Sequence, residues 1–411
     1  MESPLNPAIP RFFFNAFLGG LSIASIYSVY HQMKDMQSCM HDIFKRLDIA
    51  KKEEEKVTIL HEILSRLQSD AIKKEFSSRL SSSKHGSSLV RLVKLAKDES
   101  NTESVSISLK VMVRVFGSDA DGRAVLNRLD AYKVLLTSLS EAHRQGNQDL
   151  MEEIADTLKN LTQVDDAMVV LDTDVPKGSE GAYTLAKMPA TVKMLRIIDP
   201  DSPILFLSAL TGIFANVCTL SLGAINMGKG TDGYSGISFF FRLLDHKNHS
   251  IIDNCIRVIC YMARAKVGLL EISTKENIER LATNFHLNME SAISNHILTI
   301  ILTMAGTEES RELFLTHFIS SSIPQRLFEI WTRSPEKSLR SRSEVLCRLL
   351  TRIPQSASKM SSLFDRYRVE IADRRHKDEQ EFQQQMQQMQ QSQFMQRMMM
   401  EQMGMDPLSM G

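Results

Sequence analysis

One glycine-rich segment has nearly the residue types that a phosphate-binding loop needs. Gly223, Gly228, Lys229 and Gly230 follow the spacing G-x-x-x-x-G-K-G. Such a loop binds phosphate through backbone N–H groups and the lysine, and the next residue supplies a Ser or Thr hydroxyl to Mg²⁺. Here Gly230 replaces that hydroxyl, although Thr231 follows, and an apolar helix precedes the segment where the motif requires a strand. We expect a repeat turn lengthened by glycine, with nucleotide binding left as the alternative.

Two other clusters contain side chains that bind metal ions in other proteins. Residues 119–122, Asp-Ala-Asp-Gly, resemble part of a calcium loop, but the first and twelfth ligand positions fall on Gly117 and Arg128. His246 and His249 form an H-x-x-H pair without a third ligand, and zinc needs three or four. No Ser-His-Asp or Cys-His arrangement is evident from the sequence. We therefore expect no enzyme, no metal and no cofactor.

The stretch from Pro203 to Leu244 determines the architecture. It begins with a helix that no charged residue interrupts and ends with a second apolar helix, Ile237 to Leu244. A helix that is apolar on nearly every face must be buried on nearly every face. We therefore expect it to lie between neighbouring helices in a stack.

Similar long apolar helices recur along the chain and predict an α-solenoid between Val57 and Ile353. Aligned on one late apolar position, they place in phase Leu67, Val115, Leu161, Val217, Met262, Met304 and Leu349. The intervals are 48, 46, 56, 45, 42 and 45 residues, close to the period of about 40–47 that armadillo and HEAT units have. A shorter helix follows most of the long ones. The interval of 56 contains a polar insertion, residues 172–187.

The repeats resemble those of the armadillo family. The sequences KNLT around Asn160 and ANVC around Asn216 each close a long helix, and GAINM…GISFFFRLL resembles the glycine turn before a third helix. The resemblance implies an all-α, right-handed armadillo-like superhelix whose groove binds an extended peptide or a protein surface. Nuclear import adaptors of this fold bind basic peptides with repeated Trp/Asn pairs. This chain has a single Trp and two such Asn residues, and Arg114, Tyr261, Thr303 and Arg348 stand at the matching places. An import-adaptor role is therefore not expected, and Asn160, Asn216 and Tyr261 are candidate partner-binding residues.

The N-terminal region contains an uncharged run of nineteen residues, Phe12 to Tyr30. As a helix it nearly spans a hydrocarbon core of ~30 Å. It contains a stripe of small residues that would let another membrane helix approach closely: Ala16, Gly20, Ala24 and Ser28. The run is longer than the apolar region of a secretory signal, and no cleavage site follows it. We expect an uncleaved anchor, with a cleaved signal or a buried core helix as the alternatives.

The charges around this run predict the membrane topology. Only Arg11 precedes it, whereas Lys34, Lys45 and Arg46 follow it closely, so the bulk of the chain is expected to face the cytosol. A short, moderately apolar anchor with a basic flank resembles the signal anchors of mitochondrial outer-membrane proteins. That membrane is the expected location, and the endoplasmic reticulum is the alternative.

The C-terminal region changes from charged to Met- and Gln-rich. Residues 359–382 suit a solvated helix. Residues 383–411 follow, and one helical stripe contains Phe382, Met386, Met389, Met400 and Met403. Methionine side chains adapt to varied apolar partners. The stripe predicts a client-binding arm, with disordered low complexity and a coiled-coil oligomerisation tail as the alternatives.

The composition and the pattern divide the chain and bound its function. Lys+Arg and Asp+Glu both number 49, so no basic excess indicates nucleic-acid binding. Five scattered cysteines predict reduced core thiols. The predicted parts are an anchor (1–32), a linker helix (33–56), the solenoid (57–358), the charged helix (359–382) and the tail (383–411). The chain is expected to be a membrane-anchored adaptor for a protein partner, with self-association through anchor or tail. The alternative is a chaperone or biogenesis cofactor that binds hydrophobic segments.

Overall fold

The computed structural model describes residues 42–67, 83–97, 101–117, 120–164, 179–197, 199–230 and 236–402. These residues form helices and connecting turns, and no β-strand occurs among them. After a helical stretch at residues 42–49, the helices are α1 (Glu53–Arg66), α2 (Ser83–Val93), α3 (Thr102–Met112), α4 (Ala120–Arg128), α5 (Ala131–Gln145), α6 (Gln148–Leu161), α7 (Glu180–Lys187), α8 (Pro189–Lys193), α9 (Ile204–Cys218), α10 (Ser221–Lys229), α11 (Gly236–Leu243), α12 (His249–Arg264), α13 (Leu269–Ile272), α14 (Lys275–Thr283), α15 (Ser291–Gly306), α16 (Glu308–Ser320), α17 (Ile323–Arg333), α18 (Lys337–Thr351), α19 (Pro354–Arg366) and α20 (Arg368–Gln402). Turns of other helical types, Lys94–Lys97, Val113–Gly117 and Met194–Arg196, continue α2, α3 and α8.

The chain divides into two compact units, Met1–Gly223 and Ala224–Gly411. In the first unit the long helices α1, α3, α6 and α9 pack side by side in chain order, and we call them the first ladder. In the second unit α12, α15 and α18 do the same and form the second ladder.

From α4 onward each ladder helix is the third helix of a repeat. The triplets are α4–α6, α7–α9, α10–α12, α13–α15 and α16–α18. The second and third helices of these triplets were predicted from the sequence, but GISFFFRLL, expected as a third helix, is the second helix α11. The first helices of α7–α9, α10–α12 and α13–α15 were not predicted. Helix α7 lies inside the predicted insertion 172–187 and is the first helix of its triplet.

The aligned apolar positions are buried in every described ladder helix except the last. Leu349 is 39% exposed, whereas the next residue, Leu350, is fully buried. The predicted register of the last repeat was therefore wrong by one residue, and Leu350 lies 46 residues after Met304. In the corrected register Leu349, instead of Arg348, matches Asn160 and Asn216, the residues that come just before the buried position of their repeats.

Helix α9 confirms the prediction that a helix without charged residues is buried on nearly every face. Twelve of its fifteen residues are buried, and only Ile204, Leu205 and Ser208 near its start reach solvent. It packs against α6 and α7. Each large aliphatic or aromatic side chain buried in this way contributes about 1.5–3 kcal/mol of transfer free energy.

The glycine-rich segment is a helix over residues 221–229, so the expected turn there is wrong. Only Gly230, with φ +65°, has the left-handed conformation that ends the helix. A Cβ atom on Gly223 would collide with the carbonyl oxygen of Val217, and one on Gly228 would collide with the side chain of Val267. The glycines therefore permit close packing. Gly228 and Lys229 are the last residues of this helix, whereas a phosphate-binding loop needs them just before the start of a helix, where free N–H groups meet the phosphate.

Several sequence predictions lie outside the described residues. They include the proposed anchor from Phe12 to Tyr30, its small-residue stripe Ala16, Gly20, Ala24 and Ser28, and Met403. Within the described ranges, none of the helices is both long enough and apolar enough to cross a membrane. The four described cysteines are buried free thiols: Cys218, Cys255, Cys260 and Cys347.

Candidate protein-binding surfaces

The first ladder has a groove of about 550 Å³ that crosses all four of its helices. Leu64 of α1 lies at one side and Leu205 of α9 at the other. The groove between them is lined by acids of α6 and bases of α3 and α6: Glu152, Glu153, Asp156, Lys110, Arg114 and Lys159. Because the groove presents both acidic and basic side chains to solvent, it suits a peptide that carries charges of both signs or a peptide without charge.

Side-chain bonds between neighbouring ladder helices hold this groove in shape. The Glu53 carboxylate of α1 accepts a 2.8 Å bond from the backbone N–H of Ser104, near the start of α3. A carboxylate in this position accepts a hydrogen bond from an N–H group that has no partner within its own helix. Its negative charge also interacts favourably with the positive end of the helix dipole. Between α3 and α6, Lys110 Nζ lies 3.2 Å from Glu153 Oε1, and Ser106 Oγ donates to the same carboxylate at 2.8 Å. Both charges of that ion pair are partly exposed, so it contributes at most about 1 kcal/mol.

Asn216, a predicted binding residue, connects α9 to the end of α6. Its side chain is 7% exposed. Its Nδ2 group donates to the backbone oxygen of Lys159 at 3.1 Å and to Thr162 Oγ1 at 3.3 Å. Nearby, a Cβ atom on Gly212 would lie 3.0 Å from Lys159 Cδ, so this glycine makes room for the lysine stem. The structure thus gives Asn216 a role in helix packing, and contact with a partner stays a prediction.

Asn160, the other predicted asparagine, is half-buried and bonded to its own helix. Its Nδ2 group donates to the backbone oxygen of Asp156 at 2.8 Å and to Asp156 Oδ2 at 3.0 Å. Arg114, the matching residue of α3, is exposed on the groove. Of these residues Arg114 is the most accessible to a partner, and the sequence analysis had named it only as a departure from the asparagine pattern.

The second ladder has a smaller apolar cleft of about 220 Å³ between α15 and α18. Its lining includes buried Leu298 and Leu346 and exposed Leu302, Val345 and Leu349. Arg342 of α18 crosses to α15 at one side of the cleft. Its Nη1 group donates to Asn295 Oδ1 at 2.6 Å and its Nη2 group to Thr299 Oγ1 at 2.8 Å. The cleft therefore combines apolar side chains with a fixed guanidinium.

Tyr261, the third predicted residue, lies half-buried on α12. The guanidinium carbon of Arg264 lies 5.9 Å from the centre of its ring, within cation–π distance. Burial raises the pKa of Cys260, next to it, to about 11, and the positive charges of Arg264 and Arg342 oppose that rise. Two guanidiniums are therefore near one thiol of α12.

Helix α20 is held to the second unit by its first half. Just before it, Phe364 of α19 and Tyr367, the residue between α19 and α20, pack with the rings of Phe328 and Trp331 from α17 at centroid distances of 5.0–5.6 Å. The guanidinium carbon of Arg375 in α20 lies 6.0 Å from the centre of the Trp331 ring. Arg340 completes the attachment. This arginine is 4% exposed, and its Nη1 group donates to the backbone oxygens of Ser334 and Pro335 at 3.0 and 2.7 Å.

Two carboxylates of α20 pair with arginines of the body. Asp378 Oδ1 accepts a 2.7 Å bond from Arg340 Nη2, and Arg374 of the same helix also donates to it. Burial alone would raise the pKa of Asp378, but these hydrogen bonds outweigh it and lower the pKa. The hydrogen bond from Arg333 lowers the pKa of Glu370 in the same way. Both carboxylates therefore favour the attached helix when ionised.

The second half of α20 is exposed to solvent. From residue 379 every side chain described, up to 395, is exposed. These include the predicted residues Met386 and Met389, 36% and 47% exposed, together with Phe382, Phe394 and Met395. Met400 lies in the helix, but its side chain is outside the described set. The predicted charged helix, residues 359–382, is therefore divided between the end of α19 and the start of α20, and only its second part continues into the tail as one helix.

The remaining motifs form no site in the described structure. Residues 120–128 are helix α4, which leaves no calcium loop there. His246 Nδ1 accepts the backbone N–H of Asn248 at 2.9 Å, and His249 Nδ1 lies 3.2 Å from Glu290 Oε1. No group of three His, Cys, Asp or Glu side chains suited to a metal ion occurs among the described residues.

Comparison with known proteins identifies the fold. No protein-family model matches the sequence, and the search of curated proteins finds no significant match. One solved structure, described as "A conserved phosphorylation switch controls the interaction between cadherin and beta-catenin in vitro and in vivo", aligns with a TM-score of 0.55. The alignment has 12% identity and covers 77% of this chain and 61% of the other. The fold is armadillo-like.

Two designed armadillo repeat proteins also align, although their scores are too low to add to the argument. They are YIII(Dq)4CqI and YIII(Dq.V1)4CPAF, the latter in complex with the peptide (KR)4. Each is 13% identical, covers 63% of this chain and 98% of the designed chain, and has a TM-score of 0.46 or 0.47. The armadillo-like resemblance read from the sequence is thus confirmed at the level of the fold.

Proposed function

We propose that the chain is a scaffold that binds a protein partner along the exposed faces of its ladder helices. The groove across α1, α3, α6 and α9 carries this proposal, because it presents charged side chains to solvent and the pair Lys110–Glu153 connects two of its helices. The similar armadillo structure concerns an interaction between two proteins, cadherin and beta-catenin. An extended peptide fits such a groove, since its backbone and side chains meet successive helices in turn.

A selection experiment with one matched pair of variants tests the groove. The full chain would be used to select peptides from a displayed random library, and the affinities of the selected peptides would be measured for Arg114→Glu and Arg128→Glu. Both arginines are exposed and belong to the first unit, but only Arg114 lines the groove. We expect Arg114→Glu to change affinity by about tenfold, equivalent to about 1.4 kcal/mol, and Arg128→Glu to leave it unchanged. Equal effects of the two would place the binding elsewhere.

We further propose that residues 12–30 anchor this scaffold in an organelle membrane, with the mitochondrial outer membrane as the first choice. The uncharged run and the basic residues after it support the proposal. The test compares the full chain with a Leu18→Arg/Ile23→Arg variant by imaging and by alkaline carbonate extraction. The control is Ile49→Arg, a charge placed on an exposed residue of the described body. The proposal fails if the double variant stays on the membrane, or if the repeats resist protease added to intact organelles.

A second candidate function is capture of hydrophobic segments by α20. The exposed Phe and Met side chains of its second half favour this reading, because a chain in water seldom exposes several large apolar residues on one helix without a use for them. The comparison is between Met386→Gln/Met389→Gln and the neighbouring Gln384→Ala/Gln387→Ala. Crosslinking to an apolar model peptide should fall only in the methionine variant. Equal crosslinking of both would remove this candidate.

A further inference from the structure

We propose that the second ladder has a separate binding site, at the cleft between α15 and α18, for a peptide that carries an aliphatic side chain flanked by carboxylates. The inference rests on the proposed scaffold function and adds to it a second site and the chemistry of its ligand. Three observations support it: an apolar depression, an excess of guanidinium groups around it, and a fixed position for one of them.

The apolar part of the site is a set of neighbouring side chains. Leu302 of α15 and Val345 of α18 are 47% and 58% exposed, and Leu349 also faces solvent. Single exposed apolar residues are common on protein surfaces. These three instead surround one depression of about 220 Å³ whose lining includes the buried Leu298 and Leu346. The depression has room for one aliphatic side chain, whose burial would be favourable.

The charges around this depression are mainly positive. Helix α15 contains no Asp, Glu, Lys or Arg. On α18, Arg342 and Arg348 lie three residues before and after Val345, close to its face of the helix. Arg348 and Arg375 share one carboxylate, that of Glu344, at 2.7 and 3.3 Å. Two of the three guanidiniums thus share one carboxylate, the third has neutral partners, and the excess of positive charge favours an anionic ligand.

The position of Arg342 is set before any ligand arrives. Its two hydrogen bonds to Asn295 and Thr299 of α15 hold the guanidinium across the two helices. Arginine has five N–H donors, so others remain for a carboxylate. A fixed side chain loses little rotamer entropy on binding, which increases the affinity gained from each hydrogen bond.

The charges also argue against the other available occupant, the tail of a second copy. Residues 383–396 of α20 supply methionine and phenylalanine but no charged residue. They would fill the apolar depression and leave the excess positive charge around it, including that of Arg342, without a counter-charge. An acidic peptide with an aliphatic residue satisfies both parts of the site.

The test measures fluorescence anisotropy of the full chain with a labelled peptide of sequence Asp-Glu-Asp-Leu-Leu-Asp-Glu-Asp. Companion peptides replace the two leucines by serine or all the acids by lysine. We expect each replacement to weaken binding at least tenfold, and binding of the first peptide to weaken as salt rises from about 50 to 300 mM. Val345→Asp should weaken it at least tenfold, whereas Val369→Asp should not, since Val369 is 71% exposed on α20 outside the cleft.

Three results would overturn the inference. They are equal effects of the two valine variants, equal binding of the lysine peptide, and stronger binding of a labelled 383–411 peptide than of the acidic one. Far-UV circular dichroism of both variants confirms that they are folded. The library selection tests the groove of the first ladder and is independent of this site. The scaffold function can therefore stand when this inference fails, and this inference can stand when the first groove binds no peptide.

Discussion

Replacing Gly223 by alanine separates two explanations of the glycine-rich segment. In the structure Gly223 lies inside α10, and a Cβ atom there would collide with the carbonyl oxygen of Val217. That oxygen accepts the backbone N–H of Leu220 at 3.2 Å, so it cannot turn aside without weakening the tight connection from α9 to α10. If the glycine serves packing, Gly223→Ala should destabilise the chain. If it serves phosphate binding, the variant should stay stable and lose nucleotide affinity.

The expected size of the effect follows from two opposing contributions. Alanine is favoured over glycine inside a helix by about 1 kcal/mol. Forcing an extra methyl group into a packed contact costs about 1–3 kcal/mol, and a backbone partner puts the cost at the upper end. We expect a net loss of about 1–2 kcal/mol. Gly306→Ala is the matched control, because a Cβ atom there meets nothing within 4 Å, and this variant should be neutral or slightly stabilising.

Thermal unfolding followed by circular dichroism measures this difference. For a unit of about 200 residues, each 1 kcal/mol shifts the midpoint by about 2–4 °C. Gly223→Ala should therefore lower the midpoint of its unit by several degrees. A midpoint equal to or above that of the unchanged chain would refute the packing argument, and binding of labelled ATP by the unchanged chain would revive the phosphate-loop reading.

Three further predictions concern polar contacts between helices. Asn216→Ala should destabilise the first unit by about 1 kcal/mol in urea unfolding, because the Lys159 carbonyl loses one donor and keeps that of the Thr162 hydroxyl; an unchanged midpoint would mean that the Asn216 bond contributes nothing. Tyr132→Phe should cost about 1 kcal/mol, since the buried hydroxyl donates to the Leu161 carbonyl at 3.1 Å, and urea unfolding that shows no loss would contradict this. The lowered pKa of Asp378 means that its contribution to attaching α20 is present above its ordinary pKa near 4 and is lost as the pH falls through the lowered value. Fluorescence of the single tryptophan, Trp331, should report this release in acid, and Asp378→Asn should remove that part of the pH dependence; an identical pH profile would refute the assignment.

The sequence predicted the ladder helices well because their signal is physical and strong. A fifteen-residue helix without a charged side chain is expected to be buried on nearly every face, and twelve residues of α9 are buried. The first helices of two triplets, α7–α9 and α13–α15, were missed for the opposite reason. Helix α13 has four residues and α7 has eight, and such short segments carry too few periods of apolar residues to be recognised.

The register error at the last repeat has a similar cause. Leu349 and Leu350 are adjacent leucines, and either one continues the apolar pattern of α18. Only the packing of α18 against its neighbours decides that Leu350 is buried. The sequence alone does not contain that choice.

The binding surfaces were the least predictable part. The cleft of the second ladder depends on Arg342 meeting Asn295 and Thr299, which are 47 and 43 residues away in the chain. Such meetings follow from the offset between neighbouring helices, and no local pattern encodes it. The sequence did contain one signal. Helix α15 has apolar residues on more faces than its two neighbouring helices cover, and Leu302 is the apolar residue that stays exposed.

The aromatic cluster of α17, α19 and α20 has a consequence for assembly. A stack of similar repeats grows by adding one more unit to an open end, and the exposed flank of a last repeat is complementary to the first repeat of another molecule. Here Phe364 of α19 and Tyr367, which follows it, cover the rings of Phe328 and Trp331, and Arg340 holds the next helix, α20, through Asp378. The C-terminal helices α19 and α20 therefore cap the last repeat. A chain that loses them would expose these rings to solvent, and an apolar patch of this kind favours association.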